Sequence, residues 1–152
     1  MLRLSSGSRP GIMTVHDQFE VVIPSSTEAG QALLERIIGQ IEILESFSPK
    51  DAFGIRLALD EAIVNAIKHG NGFSPDKTVR VNCLIADDLF RIEIEDQGQG
   101  FCLADVPDPT DEDNLERPCG RGIMLMRSFM SKIEFNAIGN KVLLEKAPSA
   151  KK

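Results

Sequence analysis

Two short polar segments, about thirty residues apart, constrain the fold of this chain more than any other feature. The first lies near the end of a predicted helix and carries Glu61, Asn65 and Lys68, whereas the second follows a predicted strand and reads DQGQG from residue 96. A carboxylate, an amide and an ammonium group one helical turn apart suit a metal-phosphate group, and an Asp followed by glycines suits a base edge that approaches the backbone closely. A fold that joins both segments would form a nucleotide pocket.

A third segment, Gly120-Arg121-Gly122, opens another predicted helix, where unpaired N–H groups favour phosphate. Arg117 and Arg121 are the only cations between residues 92 and 126, and they suggest phosphate contacts. Each motif alone has an ordinary explanation: a solvated helix flank, an Asp-Gly turn or a hinge. Together the three motifs indicate one nucleotide ligand.

Composition limits the remaining possibilities. The chain has 152 residues, a net charge of −6 and no apolar run near the ~20 residues of a membrane span. We therefore expect a single cytoplasmic domain with no membrane segment and no direct contact with nucleic acid. The three cysteines lack a C-x-x-C spacing, which favours reduced thiols over a disulfide or zinc site.

Hydrophobic periodicity predicts the elements of the fold. A helix capped by Ser25 or Ser26 should run to about residue 45, and a second helix should start at Ser48-Pro49 and stop at residues 70–72. A short helix is expected over residues 123–130 after a polar, proline-rich loop at residues 102–119, which would act as a lid. Strands are predicted over residues 17–24, 78–85, 89–95, 133–137 and 142–145.

This order of elements implies an α+β fold, because hairpins connect most neighbouring strands. We expect a two-layer α/β sandwich with a mixed, mostly antiparallel sheet and the helices on one face. Residues 1–16 are predicted to be a disordered tail, residues 17–147 the domain, and residues 148–152 a C-terminal tail that is frayed from residue 147. The P-loop, dinucleotide-binding and ordinary protein-kinase motifs do not occur in the sequence.

The three boxes together resemble those of the GHKL ATPase superfamily, which includes gyrase, histidine kinases and mismatch-repair ATPases. EAIVNAIKHG at residues 61–70 is similar to its N box, DQGQGF at residues 96–101 to its first glycine box, and GRGI at residues 120–123 to its second. The resemblance covers most of residues 17–146 and implies the Bergerat-type ATP-binding fold, with ATP and Mg²⁺ as cofactors.

Within the superfamily, the small size and the segment RGIMLMRSFM at residues 121–130 are most similar to anti-sigma factor serine/threonine kinases of partner-switching systems. The resemblance implies that the chain binds a sigma factor and phosphorylates a serine of an anti-anti-sigma (STAS-type) antagonist. It also implies a possible homodimer, for which an exposed sheet edge would serve.

The resemblance also implies roles for individual residues. Glu61 would orient or deprotonate the substrate hydroxyl, Asn65 would hold Mg²⁺, and Asp96 would accept a hydrogen bond from the adenine amino group. Lys68 or an arginine would stabilise the transferring group. The backbone and lid would wrap the phosphates at four glycines, Gly98, Gly100, Gly120 and Gly122.

Two other functions remain open at this point. The chain could be a non-catalytic module in which ATP only sets the lid position and the choice of partner. It could instead be the catalytic domain of a histidine kinase, although neither His16 nor His69 lies in a helical phosphoacceptor context. Measurement of phosphoryl transfer separates the serine/threonine kinase from the non-catalytic module, and acid-labile phosphohistidine on a partner would indicate the histidine kinase.

Overall fold

The computed structural model describes residues 14–99, 124 and 126–149. Met124 and residues 126–129 are helical, and a π-helical segment, Asn65–Gly70, continues directly from α2. The other elements in chain order are β1 (Val15–Pro24), α1 (Thr27–Glu42), α2 (Pro49–Val64), β2 (Thr78–Ala86), β3 (Leu89–Glu95), β4 (Lys132–Phe135) and β5 (Lys141–Lys146).

The five strands form one sheet in the order β1-β2-β3-β5-β4, and each pairing is antiparallel. The predicted α+β class is thus confirmed, while the described pairings include none of the parallel pairs that a mixed sheet would have. β1 begins at Val15, two residues before the predicted strand, and pairs there with Ala86. The predicted lid at residues 102–119 lies outside the described residues.

The core lies between one face of the sheet and the two long helices. Alternate residues of β2 and β3 point to this face, so that Ile85, Phe90 and Ile92 are fully buried against helix residues such as Ile37 and Leu59. The opposite sheet face carries charged pairs, including Arg91 with Glu145 and Lys141 with Glu93. Helices on one face and polar side chains on the other give the two-layer sandwich.

The start of α2 is fixed by local and distant contacts. Ser48 and Asp51 form a reciprocal capping box, and Pro49 occupies the first helical turn, as the sequence predicted. The buried Asp51 carboxylate also accepts hydrogen bonds from the backbone N–H and hydroxyl of Ser149 and lies 3.7 Å from the Lys146 ammonium. Residues up to 149 are therefore held against the start of α2, whereas fraying was expected from residue 147.

Within the described ranges, no helix has the length and apolar character that crossing a membrane requires.

Candidate functional site

A cavity of about 550 Å³ opens where the end of α2, the end of β3 and the β4–β5 hairpin meet. One wall is helical and includes Asn65, His69 and Gly70, whereas the sheet side includes Ile94 and Asp96. Apolar side chains cover part of the lining and polar groups converge from several elements. This size and mixture are typical of a small-molecule site.

Asp96 lies at the sheet side of the cavity, one residue after β3. Its Oδ1 accepts a hydrogen bond from the Gly98 N–H at 2.8 Å. Burial raises the pKa of the Asp96 carboxyl above its usual value, although the Gly98 bond opposes this shift. A partly buried carboxylate at the wall of a cavity is suited to a ligand that donates a hydrogen bond.

The opposite wall is built by the π-helical segment, in which the backbone widens after Val64. The Asn71 N–H bonds to the Ala66 carbonyl at 2.9 Å, an i to i+5 contact that belongs to a π-helix. The chain then leaves the helix through Gly72 and Phe73, whose φ angles of 59° and 58° lie in the left-handed region. The sequence predicted one continuous α-helix here, and the π-helical segment corrects that prediction.

Gly70 and Gly98 allow the two walls to approach each other closely. A Cβ at Gly70 would overlap the Asp96 carboxyl group, and a Cβ at Gly98 would overlap the Gly70 carbonyl. Gly98 was expected to allow a ligand to approach the backbone. In the structure it allows contact between the backbone of the Asp96 loop and the end of the helix.

The structure brings some of the predicted residues together and separates others. Asn65 and Asp96 line the same cavity, and Gly98 bonds to the Asp96 carboxylate. Glu61 is partly buried on α2, one turn before Asn65. Lys68 is exposed and lines a second, smaller pocket together with Asp60. Lys68 thus lines a different pocket from Asn65, and its role at the phosphates stays a prediction. Five predicted residues lie outside the described ranges: Gly100, Arg117, Gly120, Arg121 and Gly122.

Several residues at the site were missed by sequence reasoning. Lys77 and Lys141 both line the cavity, and the positive charge of Lys77 opposes the rise in the pKa of Asp96, whereas the Lys141 ammonium pairs with Glu93 on the opposite face of the sheet. Asn140 also lines the cavity and bonds twice to the Asp96 backbone, with its carbonyl 2.9 Å from the Asp96 N–H and its Nδ2 3.1 Å from the Asp96 carbonyl. The predicted hairpin between the last two strands was the one available sign, but it gave no indication that its turn contacts Asp96.

The fold and the cavity together define a class of protein. A two-layer α+β sandwich, with an amide on a helix wall and a partly buried carboxylate at a strand end, has the geometry of a nucleotide-binding domain. Residues 25–146 match the family model described as a histidine kinase-like ATPase domain. The chain therefore belongs to the histidine kinase-like ATPase domain family, which confirms the resemblance found in the three boxes and implies ATP binding.

Curated relatives with this similarity are named anti-sigma F factor. The chain is 36% identical to one from Heyndrickxia coagulans over 90 residues, covering 55% of this chain and 59% of that protein. It is 33% identical to one from Halalkalibacterium halodurans over 100 residues, covering 60% and 66%. A relative from Clostridium perfringens is 34% identical over 98 residues, covering 60% and 69%. The chain thus spans about three fifths to two thirds of the length of these relatives.

A solved structure has the same fold. It contains the RsbU and RsbW domains of a Mycobacterium tuberculosis protein and superposes with a TM-score of 0.54 at 15% identity. The match covers 87% of this chain and 31% of that one. At this identity the likeness supports the fold alone.

Proposed function

We propose that this protein is an ATP- and Mg²⁺-dependent protein serine/threonine kinase that acts as an anti-sigma factor. It would bind a sigma factor and phosphorylate a serine of an anti-anti-sigma antagonist. The observation that carries the proposal is that Asn65 and Asp96, from distant parts of the sequence, line one cavity in a domain of the ATPase family. The names of the relatives favour the sigma-factor pathway over other uses of the family.

Adenine recognition is assigned to Asp96. Its carboxylate would accept a hydrogen bond from the exocyclic amino group of adenine, which would replace part of the hydration lost on burial. A guanine base presents a carbonyl oxygen at the corresponding position, so an acceptor would face an acceptor. The site should therefore discriminate against guanine nucleotides.

The phosphate end is assigned to Asn65 and the neighbouring cations. Mg²⁺ prefers oxygen ligands and usually keeps several waters while it bridges protein groups and phosphates, so the Asn65 amide oxygen suits it. The bound metal would neutralise charge on the phosphates. Residues outside the described ranges, such as Arg117 and Arg121, would supply further positive charge.

Glu61 is assigned to the acceptor hydroxyl. Its carboxylate would take the serine proton while the serine oxygen forms a bond to the γ-phosphorus and the bond to the ADP oxygen breaks. A base in this role is worth about 10² to 10⁴ in rate. The position of Glu61 one turn from Asn65 supports this assignment, since helical residues four apart share a face.

The test combines protein, ATP, Mg²⁺ and a candidate STAS-type antagonist encoded nearby, and measures phosphoserine by mass spectrometry. Glu61→Ala should lower transfer about 10²-fold or more while ATP affinity is retained. Asp60→Ala is the matched control, because Asp60 is the adjacent carboxylate but lines the other pocket. Undiminished transfer by Glu61→Ala would remove Glu61 from the mechanism. ATP binding without transfer to any such antagonist would favour the non-catalytic module.

Partner binding and assembly complete the proposal. A pull-down with and without ATP should recover the sigma factor and the antagonist as alternative partners of a cytoplasmic protein. The ten-residue β1 lies at the sheet edge, where a second copy could pair to form a homodimer. Light scattering of the purified protein measures that state directly.

A further inference from the structure

We propose that Asn71 is a positioning residue that fixes Asp96 for recognition of the adenine amino group. This inference rests on the proposed function, because it assumes that Asp96 contacts the base. The Asn71 side chain is only 3% exposed and lies behind the cavity wall. It therefore acts on a nucleotide through the loop that carries Asp96.

The hydrogen bonds of Asn71 fix the orientation of its amide. Nδ2 donates to the Ser25 hydroxyl and to the Thr78 carbonyl, both at 2.9 Å, and Oδ1 accepts the Gln97 N–H at 2.7 Å. The Ser25 hydroxyl donates its own hydrogen to the Lys77 carbonyl at 2.7 Å, so it must act as acceptor toward Asn71. The reversed amide would face two acceptors with its oxygen, which excludes that orientation.

The contact to Gln97 acts on the peptide group that follows Asp96. The N–H of that peptide is held by Asn71, and its carbonyl, which belongs to Asp96, is held by Asn140 Nδ2 at 3.1 Å. The orientation of this peptide plane is thus fixed by one hydrogen bond to its N–H and one to its carbonyl. Asn71 is buried and its contact is short, whereas Asn140 is half-buried in the hairpin turn.

The orientation of this peptide matters because the Asp96 carboxylate is held by the same loop. Its Oδ1 accepts the Gly98 N–H, one peptide further along the chain. Rotation of the peptide between Asp96 and Gln97 would move both the Gly98 donor and the carboxylate. Hydrogen bonds weaken steeply outside a narrow range of distance and angle, so a small rotation would weaken a bond to the adenine amino group.

The experiment compares the dissociation constants of ATP and of purine riboside 5′-triphosphate, which carries hydrogen in place of the amino group. The wild-type protein should bind ATP about tenfold or more tightly than this analogue, as expected for a hydrogen bond to a charged group. Asn71→Ala should lower that ratio about fivefold or more. Because both ligands are measured on one preparation, an unfolded fraction affects both dissociation constants alike and leaves their ratio unchanged.

Ser25→Ala is the matched control. It removes one partner of Nδ2 and the bond to Lys77, and so should reduce stability, but it keeps the contact between Asn71 and Gln97. Its ratio should stay at the wild-type value. If Asn71→Ala fails to fold, Asn71→Ser, whose shorter side chain does not reach the Gln97 N–H, should give the same loss.

The outcomes separate this inference from the proposed function. A wild-type protein that does not distinguish the two nucleotides would contradict the role of Asp96 itself. A wild-type preference that persists in the Asn71 variants would overturn the positioning role alone. An equal loss of preference in Ser25→Ala would also overturn it, because general loosening would then explain the effect.

Discussion

Substitution of Gly98 by alanine should weaken ATP binding and also lower the stability of the fold. The added Cβ would lie well inside 3.0 Å of the Gly70 carbonyl, a distance that real Cβ atoms do not reach. The obstacle is backbone and not the end of a flexible side chain, so the loop bearing Asp96 must move away from the helix wall. The hydrogen bond from the Gly98 N–H to the Asp96 carboxylate would be disturbed by the same movement.

The size of the effect follows from that geometry. Relief of the overlap requires a shift of about 1 Å, which would break or weaken the hydrogen bond from adenine to the Asp96 carboxylate, and such a bond to a charged group is worth about 1.5 to 3 kcal/mol. We therefore expect ATP affinity to fall about 10- to 100-fold, which corresponds to about 1.4 to 2.7 kcal/mol. Overpacking should also lower the free energy of unfolding by about 1 to 3 kcal/mol, or roughly 2 to 10 °C in the melting midpoint of a domain this size.

Isothermal titration calorimetry with ATP, together with thermal unfolding of the free protein, measures both quantities. Gly39→Ala is the control, because Gly39 lies exposed in α1 and an added Cβ there meets nothing within 4 Å. That variant should be more stable by about 0.5 to 1 kcal/mol and should bind ATP normally. Wild-type ATP affinity in Gly98→Ala would refute the claim that close backbone contact positions Asp96.

Three further outcomes are expected. Because burial raises the pKa of Asp96, the charge of its carboxylate disfavours the folded state above pH 3.8. Asp96→Asn should therefore weaken ATP binding but raise the melting midpoint at pH 7, and the gain in midpoint should shrink as the pH falls toward 3.8. A lower midpoint at pH 7 would contradict this. Burial opposes ionisation of Asp51, but hydrogen bonds from Ser149 and others hold its pKa below 3.8. Ser149→Ala should therefore lower the free energy of unfolding at pH 7 by about 0.5 to 2 kcal/mol in chemical denaturation, and this loss should fade below pH 3.8. A loss that does not depend on pH would exclude the contact with Asp51 as its source. Lys68 lines the second pocket, so Lys68→Ala should leave the calorimetric ATP affinity within about twofold, and a larger loss would mean that Lys68 reaches the nucleotide.

Local patterns were sufficient to predict most of the elements. The bounds of β3 were predicted correctly, and α2 begins where Ser48 and Pro49 indicated, because alternation and helix caps depend on a few adjacent residues. The helix type after Val64 was not predicted from the sequence. One α-helix was expected to continue to residues 70–72, whereas the chain is π-helical from Asn65 to Gly70 and has a wider turn there.

Periodicity and short motifs were enough to predict the α+β class and two wall residues of the cavity, Asn65 and Asp96, because such patterns involve only a few residues along the chain. The contacts that hold those walls together became visible only in the folded chain: the buried amide of Asn71, the hairpin residue Asn140 and the backbone contact of Gly98 with Gly70. The contacts of Asn71 with Gln97 and of Asn140 with Asp96 join residues that are 26 and 44 positions apart. The contact of Gly98 with Gly70 joins two backbone segments that are also distant in the sequence. No local pattern specifies such contacts, because they arise when the sheet and helices pack.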